Sequence, residues 1–502
     1  MRTTEERFPW LIIVAVAAGV SGDLLLHTPV WGIGFSAWAL FLIAGFLFVA
    51  RQGGELPPAD VLAAAGLGAV CALCLSWRDA LSLSSANVLA FSLGAGLLML
   101  RTGSTRLSRA PILLIVQGFV LEALSATAGM AMLMLKDFAA WRREHASRML
   151  LVPVLRGLML ALPLVVVFGA LLAAADAGFQ FLVEKIFDLP EIFGHLFIAG
   201  FFFWIVGGIL RGRYIAPEVP LPTRRPEYFR IGMTEASIVL GALNLLFAVF
   251  VLLQIPYFFG GHQTVLGTPS LTYAEYARRG FFELIGVVGF AIPLLLLMDW
   301  LTGREGIQVR VFPVLSGATV LLLGSITASA VWRLWLYIER FGLTEARLNA
   351  AALLIWFAVV LAWFCVSVLG GRRERFAYGA IVAGYCVLLL LNIGNPGAIV
   401  ARTNLARAAA GVAFDARYNA TLGADAVPEL LAGIAKLPEA DRDLVSWELL
   451  CRYGKGVSHS WRGWNAGLAG ASALVAARED ELRSYLRPRT EPPPRVRTEE
   501  NR

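Results

Sequence analysis

Apolar residues in this chain fall into about twelve runs, near residues 10–27, 30–50, 59–76, 82–100, 111–135, 149–175, 191–210, 231–257, 273–300, 311–338, 345–369 and 377–393. Nearly all reach the roughly 20 residues that, at a rise of 1.5 Å each, cross a 30 Å hydrocarbon core. Inside lipid every backbone amide and carbonyl must be bonded within its own helix or within a closed barrel, and barrel strands would be shorter and alternate in polarity. The runs therefore predict an all-α fold, a polytopic transmembrane helix bundle of about 12 spans with a range of 11–13. Composition agrees: of 502 residues, 58% are hydrophobic and 16% charged, where a soluble chain would carry about a quarter. The charges are also unevenly placed, with 51 among the first 394 residues and 28 among the last 108. A bundle over 1–394 should thus precede a small soluble helical tail over 395–487, with the Pro-rich, charged stretch 488–502 disordered. The first run could be read as a cleaved signal peptide, but it continues to Leu26 and another run follows at once, which favours a retained span.

The net charge of +7 suggests nucleic acid or anionic lipid at first sight. The basic residues, however, sit in short loops between spans: Lys136, Arg142, Arg143 and Arg148; Arg211, Arg213, Arg224, Arg225 and Arg230; Arg304 and Arg310; Arg372, Arg373 and Arg375. The intervening loops 176–190 and 258–272 hold only Lys185. This alternation follows the positive-inside rule, placing the basic loops in the cytoplasm and the tail outside. Arg101, Arg106 and Arg109 break the pattern, since the count places their loop outside, so one early segment is expected to be misassigned or re-entrant. The segment 176–190, with Phe179, Leu182, Val183, Ile186 and Phe187 at helical spacing, should lie along the outer interface.

In the tail, Leu430, Leu431, Ile434 and Leu437 keep one apolar helix face and Leu444, Val445, Leu449 and Leu450 another, while Trp464 to Leu486 can form a third helix. The five cysteines make no disulfide framework, and Cys71-x-x-Cys74 reads as core packing. The histidines His27, His145, His195, His262 and His459 show no ligand-like spacing, which argues against a metal site. No phosphate-binding loop, Gly-x-Ser-x-Gly, dinucleotide fingerprint or basic-aromatic stripe occurs, so neither a cofactor nor a nucleic-acid partner is expected.

Three stretches carry a resemblance: Tyr273-Ala-Glu-Tyr-Ala-Arg-Arg-Gly-Phe-Phe-Glu-Leu284, Arg333-Leu-Trp-Leu-Tyr-Ile-Glu-Arg-Phe-Gly-Leu-Thr-Glu-Ala-Arg347 and Asn395-Pro-Gly-Ala-Ile-Val-Ala-Arg-Thr-Asn404. They resemble an uncharacterised family of bacterial multi-spanning membrane proteins, a domain of unknown function, over roughly residues 225–435, including Asp425-Ala-Val-Pro-Glu-Leu-Leu431. The resemblance implies this architecture and a bacterial inner-membrane location, and no reaction.

Thr272-x-x-Glu275 forms a capping box, so a helix should begin near Tyr273. Glu275, Arg279 and Glu283 then follow one another at four-residue spacing, taking a line of alternating charge into the membrane edge beside Arg278. The plain reading is snorkelling arginines neutralised by ion pairs. The sharper one is an anion or lipid-headgroup site in which Arg278 faces the ligand and Glu283 holds Arg279. Span parity puts these residues on one side with Arg333, Glu339, Arg340, Glu345, Arg347, Asn392, Asn395 and the tail. Arg333, between Trp332 and Trp335, lies about two turns inside the turn at Gly342. The candidate ligand-binding set is therefore Arg278, Arg279, Glu283 and Arg333.

Asp23, Glu122, Arg156, Glu235 and Asp299 are further charges at membrane depth, where a carboxylate either takes a proton or finds a partner; Glu122 and Arg156, in neighbouring spans, could pair. Three functional classes stay open. One is a protein that binds or transports an anionic lipid, glycan carrier or other anionic ligand. Another is a membrane-embedded, lipid-linked glycosyl or group transferase, for which Asp23 is the sole acidic candidate near the first span. The last is a non-catalytic scaffold or sensor, in which the arginines bond only to protein. Membrane lipids are the expected surroundings in every case.

Overall fold

The computed structural model describes residues 4–138, 141, 168, 172, 176, 189–216, 231–259, 281–302 and 308–487, apart from 29, 55, 102–105 and 456–459. Among the described residues, eleven helices are long and apolar enough to cross a membrane. They are α1 (Thr4–Leu26), α2 (Ile33–Gln52), α3 (Ala59–Leu73), α4 (Leu81–Met99), α5 (Ile112–Asp137), α6 (Leu189–Tyr214), α7 (Met233–Phe259), α8 (Phe281–Leu301), α9 (Gln308–Phe341), α10 (Glu345–Phe364) and α11 (Phe376–Gly394). The chain is thus an all-α polytopic bundle. The apolar run at 149–175 apart from 168 and 172, the interfacial segment 176–190 apart from 176, 189 and 190, the capping box at Thr272, and Arg156, Arg278 and Arg279 lie outside the described residues, as does 488–502.

Two apolar cores divide the spans. Leu11, Phe35, Trp38, Phe46, Phe91, Leu97, Leu107 and Leu210 centre the first, built from α1–α4, the start of α5 and α6. Leu240, Val288, Leu295, Leu323, Ile326, Leu354 and Phe364 centre the second, built from α7–α10. Helix α11 joins them: Tyr378 and Ile381 pack on the first core, Phe376 and Ala380 touch the second. Tryptophans of the bundle, buried Trp38 and half-buried Trp356 and Trp363, spend their indole N–H on span carbonyls, Trp38 on Ala18 (3.2 Å), Trp356 on Ala380 (3.1 Å) and Trp363 on Phe376 (3.2 Å), since no water is present in lipid to take it.

One face of the bundle is lined with arginine. Arg7 reaches the Gly53 carbonyl (3.0 Å), Arg101 donates to the Arg213 and Ala216 carbonyls (2.8 Å each), and Arg373 pairs with the buried Asp299 (3.3 Å). The turn at Leu107–Arg109 packs on the turn at Arg373–Arg375, and the Ser108 amide caps back to Asp60 (2.7 Å). Arg101, Arg106 and Arg109 therefore share the face of Arg211, Arg213 and Arg373, against the placement that span counting gives them. The reason lies in α5. Its residues Thr127 to Asp137 pack on the C-terminal half of α6: Thr127 accepts from Trp204 (2.8 Å), Asp137 pairs with Arg211, and a Cβ on Gly129 would lie 2.7 Å from the Gly208 carbonyl. The two helices cross at glycine instead of running side by side, so α5 does not change sides as a full antiparallel span would. Two π-helical stretches, Ser125–Gly129 and Leu133–Asp137, accompany the crossing.

The tail folds on the opposite face as α12 (Pro396–Ala409), α13 (Ala416–Thr421), α14 (Val427–Gly433), α15 (Glu439–Tyr453), α16 (Ala466–Ala477) and α17 (Glu479–Ser484). Asn395 ends α11 and starts α12 at once: it is left-handed (φ 58°), its Oδ1 accepts the Ala398 amide (3.1 Å), and Pro396 takes the first helical position, a combination that turns the chain sharply at the membrane edge. Leu430, Leu431, Ile434, Leu437, Val445 and Leu449 are buried in the tail core, as their spacing predicts. The expected single helix from Trp464 to Leu486 is instead two. Asn465 caps the amide of Leu468 (2.7 Å), so the first begins at Ala466, and a break at Arg478 separates the second.

Candidate functional site

Three polar groups occupy the tail-bearing face. The largest fastens the tail to the spans. Arg78, in the short turn between α3 and α4, donates through Nε to the Asn392 carbonyl (2.7 Å) and through Nη2 to that of Ile393 (3.2 Å). Those carbonyls end α11 and have no intrahelical partner of their own. The same guanidinium pairs with Asp425 of the tail (3.7 Å) and stacks on Trp77 (4.1 Å). Asp425 Oδ2 accepts the Asp79 amide (2.9 Å), and Asp79 Oδ2 accepts the Ala424 amide (2.9 Å), so the two turns cap each other. One turn deeper, Asn87 and Asn392 exchange both amide hydrogen bonds at 2.9 Å. Burial lifts the Asp425 carboxyl above the ordinary carboxylate range, with the Asp79 amide and Arg78 holding it down only in part. Glu345, at the start of α10, accepts from Ser82 (3.4 Å), and its amide donates to Tyr418 of the tail (2.8 Å).

The second group contains Arg333. Its side chain is buried, 8% exposed, and Nη2 donates to Gln254 Oε1 of α7 (2.9 Å), which also accepts from Ser329 (3.2 Å). Trp332 and Trp335 stack beside it at 5.0 Å. Glu283, on the first turn of α8, is exposed and makes no bond to Arg333 or another described residue. The remaining residues assigned to this side do share it. Arg407 of the tail bonds the Glu339 and Arg340 carbonyls, Asn404 bonds both backbone groups of Leu343, and Arg347 lies over Tyr337 (4.1 Å).

The third group, which sequence spacing does not reveal, is Asp23, His27 and His195. His195 Nδ1 lies 2.8 and 2.9 Å from the two Asp23 oxygens, His27 Nδ1 lies 3.3 Å from Oδ1, and the imidazoles stack with centroids 4.0 Å apart. Asp23 is on the last turn of α1 and His27 directly follows that helix, four positions on, whereas His195 comes 172 positions after Asp23. The available signal is the stripe Ala15, Gly19, Asp23, His27 at four-residue spacing, a small-residue seam that ends in polar residues. Of the other embedded charges, Asp299 is satisfied by Arg373, and Glu122 faces the charge of Arg213.

No curated protein and no solved structure matches the chain. The family described as Domain of unknown function (DUF4153) matches residues 62–433, a stretch that begins after Asp23 and His27 and contains Arg78, Asn87, His195, Arg333, Asn392 and Asp425. With most of the spans and the first part of the tail inside that match, the chain belongs to the DUF4153 family, a domain of unknown function.

Proposed function

We propose that this integral membrane protein sits in a bacterial inner membrane with its tail outside and binds an anionic ligand, an acidic lipid or the phosphate of a lipid-linked glycan, at the face that bears the tail. The observation that carries the reading is Arg333, a buried guanidinium about two turns inside the end of α9, held by Gln254 of α7. A charge so placed is costly in lipid and calls for a role. In the sequence, Arg278 and Arg279 fall between Gln254 of α7, which holds Arg333, and Glu283 of α8. A cluster of Arg278, Arg279 and Arg333 would suit a phosphate, with Arg preferred for its planar fork of donors. Gathering Arg101, Arg106 and Arg109 with Arg211, Arg213 and Arg373 supports the orientation, because the arginine-lined face then fits the cytoplasmic side throughout.

Native mass spectrometry of the purified protein tests this. Wild type should retain an acidic lipid or lipid-linked phosphate that Arg333→Ala loses and Arg333→Lys keeps in part. Retention of zwitterionic lipid alone, or unchanged occupancy in Arg333→Ala, would overturn it. A lipid-linked group transferase is the second reading, favoured by the carboxylate of Asp23 lying with two imidazoles on the same face. A non-catalytic scaffold would leave the arginines bonded to protein alone.

A further inference from the structure

We infer that Asp23, His27 and His195 form a binding site for a divalent transition-metal ion of the zinc class, at the tail-bearing end of the seam between α1 and α6. The inference stands apart from the anion site at Arg333, which uses none of these residues.

The seam is built so that short side chains meet across it. A Cβ added at Gly19 would lie 2.6 Å from the Ala199 carbonyl, one at Gly22 would lie 2.5 Å from the Phe202 ring, and one at Gly207 would lie 3.4 Å from Ala15 Cβ. The pairs run antiparallel: residue 15 with 207, 19 with 203, 22 with 202, and then 23 with 195. Only helices this close bring an aspartate on one into contact with a histidine on the other. Gly194 continues the pattern, since a Cβ there would come within 3.3 Å of the His27 ring. Helix packing thus brings Asp23 and His195 together, and His27, directly after the last residue of α1, is tied back to the helix by the hydrogen bond of its amide to the Asp23 carbonyl (3.2 Å), which gives the set the rigidity a coordination sphere needs.

One ligand atom from each of the three residues falls within 4.8 Å of the others. Metal–ligand bonds of about 2.0–2.2 Å require donors roughly 3.4 Å apart in a tetrahedral site, so small rotations of the two rings close the set. Two imidazoles and one carboxylate are the donors of sites for zinc and neighbouring divalent ions, whereas magnesium and calcium take oxygen. Three protein ligands leave a coordination position open, and the side chains keep 21%, 31% and 40% exposure for Asp23, His27 and His195, enough for an ion to enter. The tail closes over one side, where Arg462 donates to the His27 carbonyl (3.4 Å).

The test uses full-length protein without a polyhistidine tag, stripped with chelator and dialysed against Zn²⁺ alone. Wild type should bind one equivalent, and His27→Gln and His195→Gln should each weaken binding by at least ten-fold while His262→Gln does not. X-ray absorption of the zinc-loaded wild type should show two imidazole nitrogens with oxygen donors, and it decides the matter even if a variant fails to accumulate. Absence of stoichiometric zinc, binding indifferent to both glutamine variants, or a shell without imidazole would each overturn the assignment.

Discussion

The α1/α6 seam and the junction between tail and spans both rest on glycine, yet they hold together by different physics. Along the seam Gly19, Gly22 and Gly207 bring backbones to within contact and the bonding is packing alone until Asp23 is reached. At the junction a Cβ on Gly423 would fall 1.8 Å from the Asp79 carbonyl and one on Gly467 2.6 Å from Asp425 Oδ1. What that closeness serves there is hydrogen bonding, through Arg78, Asp79, Asp425 and the carbonyls ending α11. The contrast follows the solvent. Lipid tails are as apolar as the helices, so only close fit favours one helix on another. At the membrane edge unpaired helix-end carbonyls and buried charges demand partners, and a polar network supplies them.

The largest expected effect breaks the seam. Gly19→Leu forces a side chain into the Ala199 backbone, where no rotamer relieves the clash, and should cost more than the roughly 1–3 kcal/mol of ordinary overpacking and more than the about 3–5 kcal/mol of breaking a buried ion pair. We expect most accumulation in the membrane to be lost. Gly241→Ala and Gly324→Ala, which meet nothing within 4 Å, should accumulate as wild type does and gain up to about 1 kcal/mol of helix propensity. Thermal stability in detergent ranks the three, and a Gly19→Leu protein as stable as wild type would remove close approach as the basis of the seam.

Next comes the junction, where damage should be confined to the tail. Arg78→Met strips the Asn392 and Ile393 carbonyls of their donor and leaves Asp425, only 4% exposed, without its cation. Breaking one half of such a buried pair costs about 3–5 kcal/mol. Limited proteolysis and hydrogen exchange should show α12–α17 opening while α1–α11 stay protected; exchange rising equally in α1 and α6 would show the two regions to be one cooperative unit. Replacing both partners, Arg78→Met with Asp425→Leu, should be less harmful than the single change. The reciprocal Asn87–Asn392 pair sits between the regions and places the boundary. Asn87→Leu alone leaves a buried amide short of a partner at about 1–3 kcal/mol, and adding Asn392→Leu should restore part of it.

How much of this the sequence discloses follows the same division. Span positions and the apolar tail faces are legible because each depends on residues within one helix: twenty apolar residues, or Leu430, Leu431 and Ile434 on one stripe. Arg333 is legible too, a charge out of place among Trp332 and Trp335. Its partner Gln254 is not, because an uncharged amide in α7 gives no such alarm and the pairing depends on which helices meet. Likewise Arg78 reads as a loop charge, and its bond to Asn392 spans 314 positions. His195 is a lone histidine until α6 is laid along α1. The oblique path of α5 is hidden for a similar reason, since its hydropathy is that of any span and only the glycine contact with Gly208 fixes the angle.

The smallest effect expected is also the most selective, because the junction titrates near Asp425. Burial raises the folded-state pKa of Asp425 above its ordinary value of 3.8, so the docked tail holds the proton more tightly than the detached one. Stability from this group is complete below pH about 3.8 and is lost as pH rises through the raised value. Tail docking should therefore tighten modestly as pH falls from neutral into the acid range. Asp425→Asn keeps an oxygen for the Asp79 amide and removes the ionisation, so its docking should lose this dependence. Exchange rates in α14 at several pH values measure both proteins. If wild type loosens on acidification instead, the ion pair with Arg78 outweighs the burial of the carboxylate, and the junction is held chiefly by charge. If the two proteins share one slope, a different group sets the pH response, and the hydrogen bonds around Asp79 hold the tail whether or not Asp425 is charged.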